Sequence, residues 1–322
     1  MRSVTLLDTA TASTNLGDQI IMEAVRREID EVCADAFQYS VVSHEWMGRR
    51  SRSLVGRADV AIVGGSNLLS SRMWFKPLWK ITPLQAFRRS EIVLMGCGWY
   101  QDQYAADFYS RWLFKRVLSK KYLHSVRDSQ AERMLKGAGV PNVINTGCPT
   151  LWRLTPDRCA AIPRAKATSV VTTLNTYITN RDADRELLQL LRKHYGRIFF
   201  WTQTREDYEY ARQIDPDMEF LPPSLQALDH LLETEADLDY VGNRLHAGIR
   251  AMQKGRRTVI VEIDNRARAM SEDFDVPTVA RTDMEKLTAM ITKPFETRIN
   301  LPTSAIERWR DQLRVGAPSP AA

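Results

Sequence analysis

Residues 238–249 read LDYVGNRLHAGI. Leu238, Tyr240 and Val241 make a short apolar run that reads as a buried strand, Gly242-Asn243 as a turn, and Arg244-Leu245-His246 as the first turn of a helix. The carboxyl ends of parallel strands are where open α/β sheets hold their ligands. Backbone N–H groups at a helix start favour negative charge, and Arg244 adds to that field. An arginine and a titratable histidine at such an edge therefore point to an anionic ligand, with Asn243 beside it. The plain alternative for His246 is a satisfied structural histidine.

The same alternation of apolar runs and helical patterns extends outward through the whole chain, which is the pattern of parallel sheets with crossover helices. Strands are expected at 3–8, 37–42, 59–63, 91–95, 122–126 and 142–145, then at 168–172, 197–201, 237–241, 258–262 and 277–280. Helices are expected near 18–32, 77–89, 104–118 and 129–137, the last capped by Ser129 or Asp128. In the second half they fall near 182–194, 205–213, 224–234, 245–253, 266–273, 284–292 and 304–314. The stretch TPDRCAAIPRAK, Thr155 to Lys166, has two prolines and no periodicity, and marks a junction. The expected fold class is α/β, with two Rossmann-like, doubly wound domains at 1–155 and 166–300 facing a shared cleft, a GT-B-like arrangement. Residues 301–322 form a terminal helix and a flexible tail.

A chain of 322 residues with 44% hydrophobic content can bury cores of this size. No leader-like segment and no bilayer-length apolar run is evident, so a cytoplasmic protein is expected. Cys33, Cys97, Cys148 and Cys159 form no CxxC pair and have no histidine at ligand spacing. That argues against disulfides and structural zinc, and they read as buried thiols. The net charge of +6 favours acidic partners. The basic residues are dispersed rather than striped with stacking aromatics, so nucleic acid is not expected.

Four further stretches carry candidate chemistry. NLGDQII, Asn15 to Ile21, follows the first strand; Gly17 lets backbone approach a ligand and Asp18 caps the helix, unless this is only a capped turn. AIVGGSNLLS, Ala61 to Ser70, is neither a Walker loop nor GxGxxG. Gly64 and Gly65 allow close backbone approach or simply a positive φ, and Ser66 or Asn67 donates to a phosphate or sugar oxygen. In HSVRDSQAERML, Arg127 stands at a strand end, placed to grip a carboxylate or phosphate, or else to pair with Asp128. In TVIVEIDNRARAM, Arg266 is the cation nearest the strand end. Two aromatic-basic stretches, MWFKPLWK at 73–80 and WYQDQYAADFYSRWLF at 99–114, suit a sugar acceptor or a membrane surface if exposed, though their helical spacing equally suits a core.

Taken in order, NLGDQI, GGSN, SVRDSQAERMLKGAGV, GCPTLW, GNRLHAGIRAMQKG and VEIDNRAR resemble the polysaccharide pyruvyl transferases over most of the chain. The resemblance implies a GT-B-like fold, phosphoenolpyruvate as donor substrate without a cofactor or metal, and transfer of a pyruvate ketal to a sugar of a cell-surface glycan or its lipid-linked precursor. It leaves peripheral contact with the inner membrane open. It implies that Arg127 binds donor and that Arg244 and His246 are the RxH pair meeting phosphoenolpyruvate. Arg266 stands where many relatives have lysine, and GGS where relatives often have GGG. His246 would protonate C3 of the enol or the departing phosphate, with Asp18 or Asp207 as base. The competing expectation is a GT-B nucleotide-sugar glycosyltransferase.

Overall fold

The computed structural model describes residues 2–75, 77–81, 91–100 and 105–314. The chain divides into two compact units, one of Met1–Ser13, Ile21–Trp152 and Leu301–Ala322, the other of Thr14–Ile20 and Arg153–Asn300.

In the first unit, strands β1 (Ser3–Asp8), β2 (Phe37–Val42), β3 (Val60–Gly64) and β4 (Ile92–Met95) form a parallel sheet in the order β2-β1-β3-β4. Beyond β4, β5 (His124–Val126) pairs in parallel with β6 (Val143–Asn145), and a parallel bridge joins Cys97 to Val126. The residues of β3 show why the sheet is covered on both sides. Val60 and Ile62 pack with Ile21, Met22, Val25 and Ile29 of helix α1 (Leu16–Val32), while Ala61 and Val63 share a core with Leu113 and Phe114. A strand apolar on both faces is buried between helix layers.

Helix α2 (Arg49–Arg57) lies ahead of β3 and buries only Val55. Helix α3 (Phe108–Val117) is capped by the Asp107 carboxylate, which accepts from Ser110 N at 2.7 Å. Helix α4 (Ser129–Gly137) is capped by Asp128, one of the two residues expected there, whose carboxylate accepts from Ala131 N at 2.8 Å.

The second unit opens with a short helix, α5 (Pro156–Ala160), inside the stretch read as a junction. Its sheet orders β7 (Ser169–Thr172), β8 (Arg197–Phe200), β9 (Glu219–Phe220), β10 (Leu238–Gly242), β11 (Thr258–Glu262) and β12 (Thr278–Ala280) as β12-β11-β10-β7-β8-β9, all parallel. Between them run α6 (Arg181–His194), α7 (Arg205–Ile214), α8 (Leu225–Thr234), α9 (Leu245–Gln253), α10 (Asn265–Phe274) and α11 (Met284–Thr292). Helix α6 shows the local logic: Asn180 caps it, Asp182 and Asp184 sit in its first turn, and Arg192, Lys193 and His194 in its last, each sign matched to the helix dipole. Helix α9 lies close on the sheet because residue 248 is glycine; a Cβ there would stand 2.6 Å from Ile260 Cγ1.

At the amino ends of β10 and β11, the buried Asp239 carboxylate accepts from Arg257 Nη1 and Tyr195 OH, each at 2.8 Å. Burial raises the Asp239 carboxyl above its usual range, and the Arg257 guanidinium opposes that shift.

The expected terminal helix is α12 (Thr303–Asp311), and it packs into the first unit. Trp309 is fully buried, donates Nε1–H to Leu94 O at 3.1 Å and meets Trp152 edge-on at 5.8 Å. The tail beyond Arg314 lies outside the described residues, as do residues 82–89 of the helix expected at 77–89, and residues 77–81 are not helical. All four cysteines are buried, and among the described residues none of them forms a disulfide. Burial pushes the Cys97 thiol up to about 12 and raises the other three.

Candidate functional site

The carboxyl edge of the second unit's sheet is built around the point where β7 and β10 lie side by side. β10 ends at Gly242, where a Cβ would stand 2.6 Å from Thr173 Oγ1 and 2.7 Å from Thr173 N, so only glycine lets the two strand ends touch. Asn243 N donates to Thr173 O at 3.1 Å and Arg244 N to Thr173 Oγ1 at 3.2 Å. Tyr240 OH donates to Arg244 O at 2.8 Å, so the 2.7 Å bond between the hydroxyls of Thr173 and Tyr240 has Thr173 as donor. Burial holds the Tyr240 phenol well above its usual range, which keeps it a donor. These bonds fix the backbone from which Arg244 and, two residues on, the buried His246 project.

Arg244 is ion-paired through Nη2 with Asp207 on α7, and both side chains are buried. The second Asp207 oxygen accepts from Thr176 N at 3.1 Å and from Thr176 Oγ1 at 3.2 Å. Asp207 thereby orients Arg244. The guanidinium lies 4.9 Å over the ring of Tyr177, whose outer face is exposed. Arg244 Nε and both amide atoms of Asn243 are buried without a hydrogen-bond partner among the described residues. Buried polar atoms left open at a strand edge are what a polar ligand would satisfy.

Arg266 stands one strand further along, at the start of α10. Its Nε donates to Asp264 Oδ2 at 2.8 Å and its Nη2 to the same oxygen at 2.5 Å. Burial alone would lower the guanidinium; the Asp264 carboxylate, with smaller contributions from Asp18 and Tyr177, holds it above its ordinary value. The structure thus gathers Arg244, Arg266, Asp18 and Tyr177 at one edge, in one unit. Asp18 lies in the first turn of α1 but is not its cap. That role falls to Asn15, whose Oδ1 accepts from Gly17 N at 3.0 Å. A Cβ on Gly17 would come to 3.0 Å from Gln203 Oε1, and Leu16 N donates to Gln203 O at 3.3 Å, so this loop is seated on the end of β8. Beside it opens a cavity of about 450 Å³ lined by Thr14, Leu16, Gln203, Arg205 and Tyr208 among others. Gln203 Nε2 and Thr202 Oγ1, from the same lining, are buried without hydrogen-bond partners among the described residues.

The first unit has its own carboxyl edge. Gly64 and Gly65 are explained by packing, since a Cβ would stand 2.7 Å from Met22 Sδ at the first and 2.3 Å from Ile21 Cγ2 at the second. Gly65 and Ser66 both have φ near +62, a region that favours glycine, so Ser66 occupies a position where a third glycine would fit without strain. Ser66 O accepts from Gly98 N at 2.8 Å, and Asn67 Oδ1 is buried without a hydrogen-bond partner among the described residues. Arg127 lies against Gly98, where a Cβ would fall 2.3 Å from its Cζ. The side chain is buried and its Nε and Nη2 donate to Asp128 Oδ2 at 3.1 and 3.0 Å. Arg127 therefore makes the ion pair with Asp128 that was one of the two readings of SVRD.

A family profile described as polysaccharide pyruvyl transferase matches residues 15–265, well over half of the chain. The chain belongs to the polysaccharide pyruvyl transferase family. No curated protein sequence matches it significantly. Among solved structures, a UDP-N-acetylglucosamine 2-epimerase aligns over 100% of both chains at 12% identity and a TM-score of 0.51. The UDP-GlcNAc 2-epimerase of Neisseria meningitidis bound to UDP-GlcNAc aligns over 99% of this chain and 95% of its own, at 11% identity and a TM-score of 0.50. The enzyme from Rickettsia bellii follows at 13% identity, 96% and 93% coverage and a TM-score of 0.49. At these identities the likeness is one of fold, the α/β class of GT-B enzymes with parallel sheets.

For this polysaccharide pyruvyl transferase, the residues absent from the sequence reading are Tyr177, Thr173 and Gly98. Tyr177 lies in the loop LNTYIT directly after β7, a strand end like the others. Scanning every strand end for aromatic and hydroxyl side chains would have found it. Among the described residues no group of three or more His, Cys, Asp and Glu side chains comes together to hold a metal ion. Among them, too, no helix is long and apolar enough to cross a membrane.

Proposed function

We propose that this transferase takes its pyruvyl group from phosphoenolpyruvate and places it as a ketal on a sugar of a cell-surface polysaccharide or its lipid-linked precursor. The observation that supports this reading is the edge of the second unit, where Arg244 and Arg266 are each held by a carboxylate and flank Tyr177 beside the open amide of Asn243. Two oriented guanidinium groups and a helix start suit a small molecule that carries both a carboxylate and a phosphate.

In this reading His246, as imidazolium, gives its proton to C3 of the enol, leaving C2 oxocarbenium-like. One sugar hydroxyl adds to C2, the C2–O bond to phosphate breaks, and a second hydroxyl closes the ketal. Of the two hydroxyl protons, one restores His246 and the other leaves with phosphate. Asp18, near Arg266, takes up the first hydroxyl proton and passes it to the departing phosphate, while the proton of the second hydroxyl returns to His246.

Phosphate release from phosphoenolpyruvate, followed by ³¹P NMR, is expected only when a glycan acceptor is present. His246→Ala is expected to abolish it without lowering the melting temperature; undiminished turnover in that variant would remove the assigned role. The cavity beside Gln203 and Tyr208 supports a second reading, a nucleotide-sugar glycosyltransferase. A thermal shift with nucleotide sugars and none with phosphoenolpyruvate would favour it.

A further inference from the structure

Helix α3 has two faces. Ser110, Leu113, Phe114 and Val117 are buried in the core. Phe108, Arg111, Trp112, Lys115 and Arg116, spaced i, i+3, i+4, i+7 and i+8, form a second stripe, and with Gly139 they line one shallow groove of about 540 Å³. Phe108 is 87% exposed at the start of this helix.

Residues 71–75, in the segment that follows β3, bring more aromatic surface to the same place. Met73 N donates to Ser110 Oγ at 3.0 Å and Asp107 N to Ser71 Oγ at 3.1 Å, so residues 71–73 are tied to the first turn of α3. The next two residues, Trp74 and Phe75, are 64% and 74% exposed, with their rings 5.6 Å apart. Three large aromatic side chains standing in solvent around one helix start are not core residues that happen to reach the surface. Soluble chains seldom leave such a cluster uncovered.

The charge along the helix is predominantly basic. From Phe108 to Lys121 the sequence is FYSRWLFKRVLSKK, with Arg111, Lys115, Arg116, Lys120 and Lys121, and the one carboxylate at the helix start, Asp107, is engaged in capping it. Aromatic rings at a helix end with cations along the same face match a bilayer surface, where rings settle among the head groups and Lys and Arg meet anionic phosphates.

We infer that the outer face of α3, with Trp74 and Phe75, docks this protein on an anionic lipid surface. The inference concerns the surface alone and stands whatever the donor is.

The test is co-sedimentation with vesicles. The full chain is expected to sediment with phosphatidylcholine vesicles containing phosphatidylglycerol, not with phosphatidylcholine alone, and less as salt screens the cations. Replacing Trp74, Phe75 and Phe108 together by alanine is expected to weaken binding about tenfold or more, as is the pair Arg111→Glu and Lys115→Glu. Should the triple variant fail to fold, Trp74→Phe serves instead, because it must reduce the quenching of tryptophan emission by brominated lipid. Absence of sedimentation by the unaltered chain, or equal sedimentation by the aromatic and charge variants, overturns the inference. So does a dimer of the free chain that the triple variant abolishes with no vesicle binding, which would make a second copy the occupant.

Discussion

Arg244 is held in place before any ligand arrives, by a carboxylate on one side and an aromatic ring on another. Removing the carboxylate leaves a buried guanidinium without its counter-charge, so Asp207→Ala is expected to cost about 3–5 kcal/mol in denaturant unfolding. Tyr177→Phe keeps the stacking face, whereas Tyr177→Ala loses about 1 kcal/mol or more of cation–π interaction. On the proposed function, the alanine variant alone is expected to raise KM for phosphoenolpyruvate. Of this cluster, Arg244 and Arg266 were legible because a cation directly after an apolar strand is a local signal. Tyr177 stands at a strand end too, but its place beneath the Arg244 guanidinium exists only once β7 lies beside β10. Asp207 was read, with Asp18, as a candidate base, because nothing in its sequence neighbourhood reveals its pairing with Arg244.

A second histidine shows the opposite balance. His124 is fully buried in β5, accepts from Leu94 N at Nδ1 (3.3 Å) and donates Nε2–H to Ser119 O (2.8 Å), and burial lowers it to about 4. Its folded value lies below the unfolded one of about 6.5. The stability it contributes is therefore complete above that pH and is lost as pH falls toward about 4, a change of about 3 kcal/mol. Denaturant melts between these limits should show the slope, and His124→Gln should flatten it.

At the scale of elements, what could be read was burial on two faces. β3 and β10 are nearly unbroken apolar runs, and such runs between helical patterns leave little choice but a parallel sheet. β9 escaped because two residues carry no periodicity, and α2 because RRSRSLVGR buries a single side chain. α12 was recognised as a helix, but its partner surface is far away in sequence, so its packing with Leu94 and Trp152 was not visible. Trp309→Ala is expected to destabilise the first unit by about 3–5 kcal/mol, through the lost indole volume and an orphaned carbonyl. The Asp239–Arg257 pair makes a similar demand on the second unit. Arg257→Met leaves the carboxylate buried without its cation, and a loss of about 3–5 kcal/mol is expected in urea unfolding.

For the molecule as a whole, the path of the chain matters more than the number of its elements. The first unit draws on residues before 14, from 21 to 152 and after 300, so its core is completed only by sequence that follows the entire second sheet. Ending the chain at Asn300 is expected to make residues 21–152 protease-sensitive while residues 153–300 stay resistant, as mass spectrometry of limited digests would read. A junction near residue 155 could be seen in the sequence, since prolines and lost periodicity are local. The return of the last helix could not, because it is written only in which surfaces fit.

The four sealed thiols carry a practical consequence. With every native sulfhydryl buried and its deprotonation suppressed, the folded chain presents almost no reactive sulfur to a maleimide. A single cysteine engineered at position 74, 108 or 177 would be the one handle that a fluorophore or spin label finds, so lipid contact and donor binding can be watched on separate reporters in an otherwise native background.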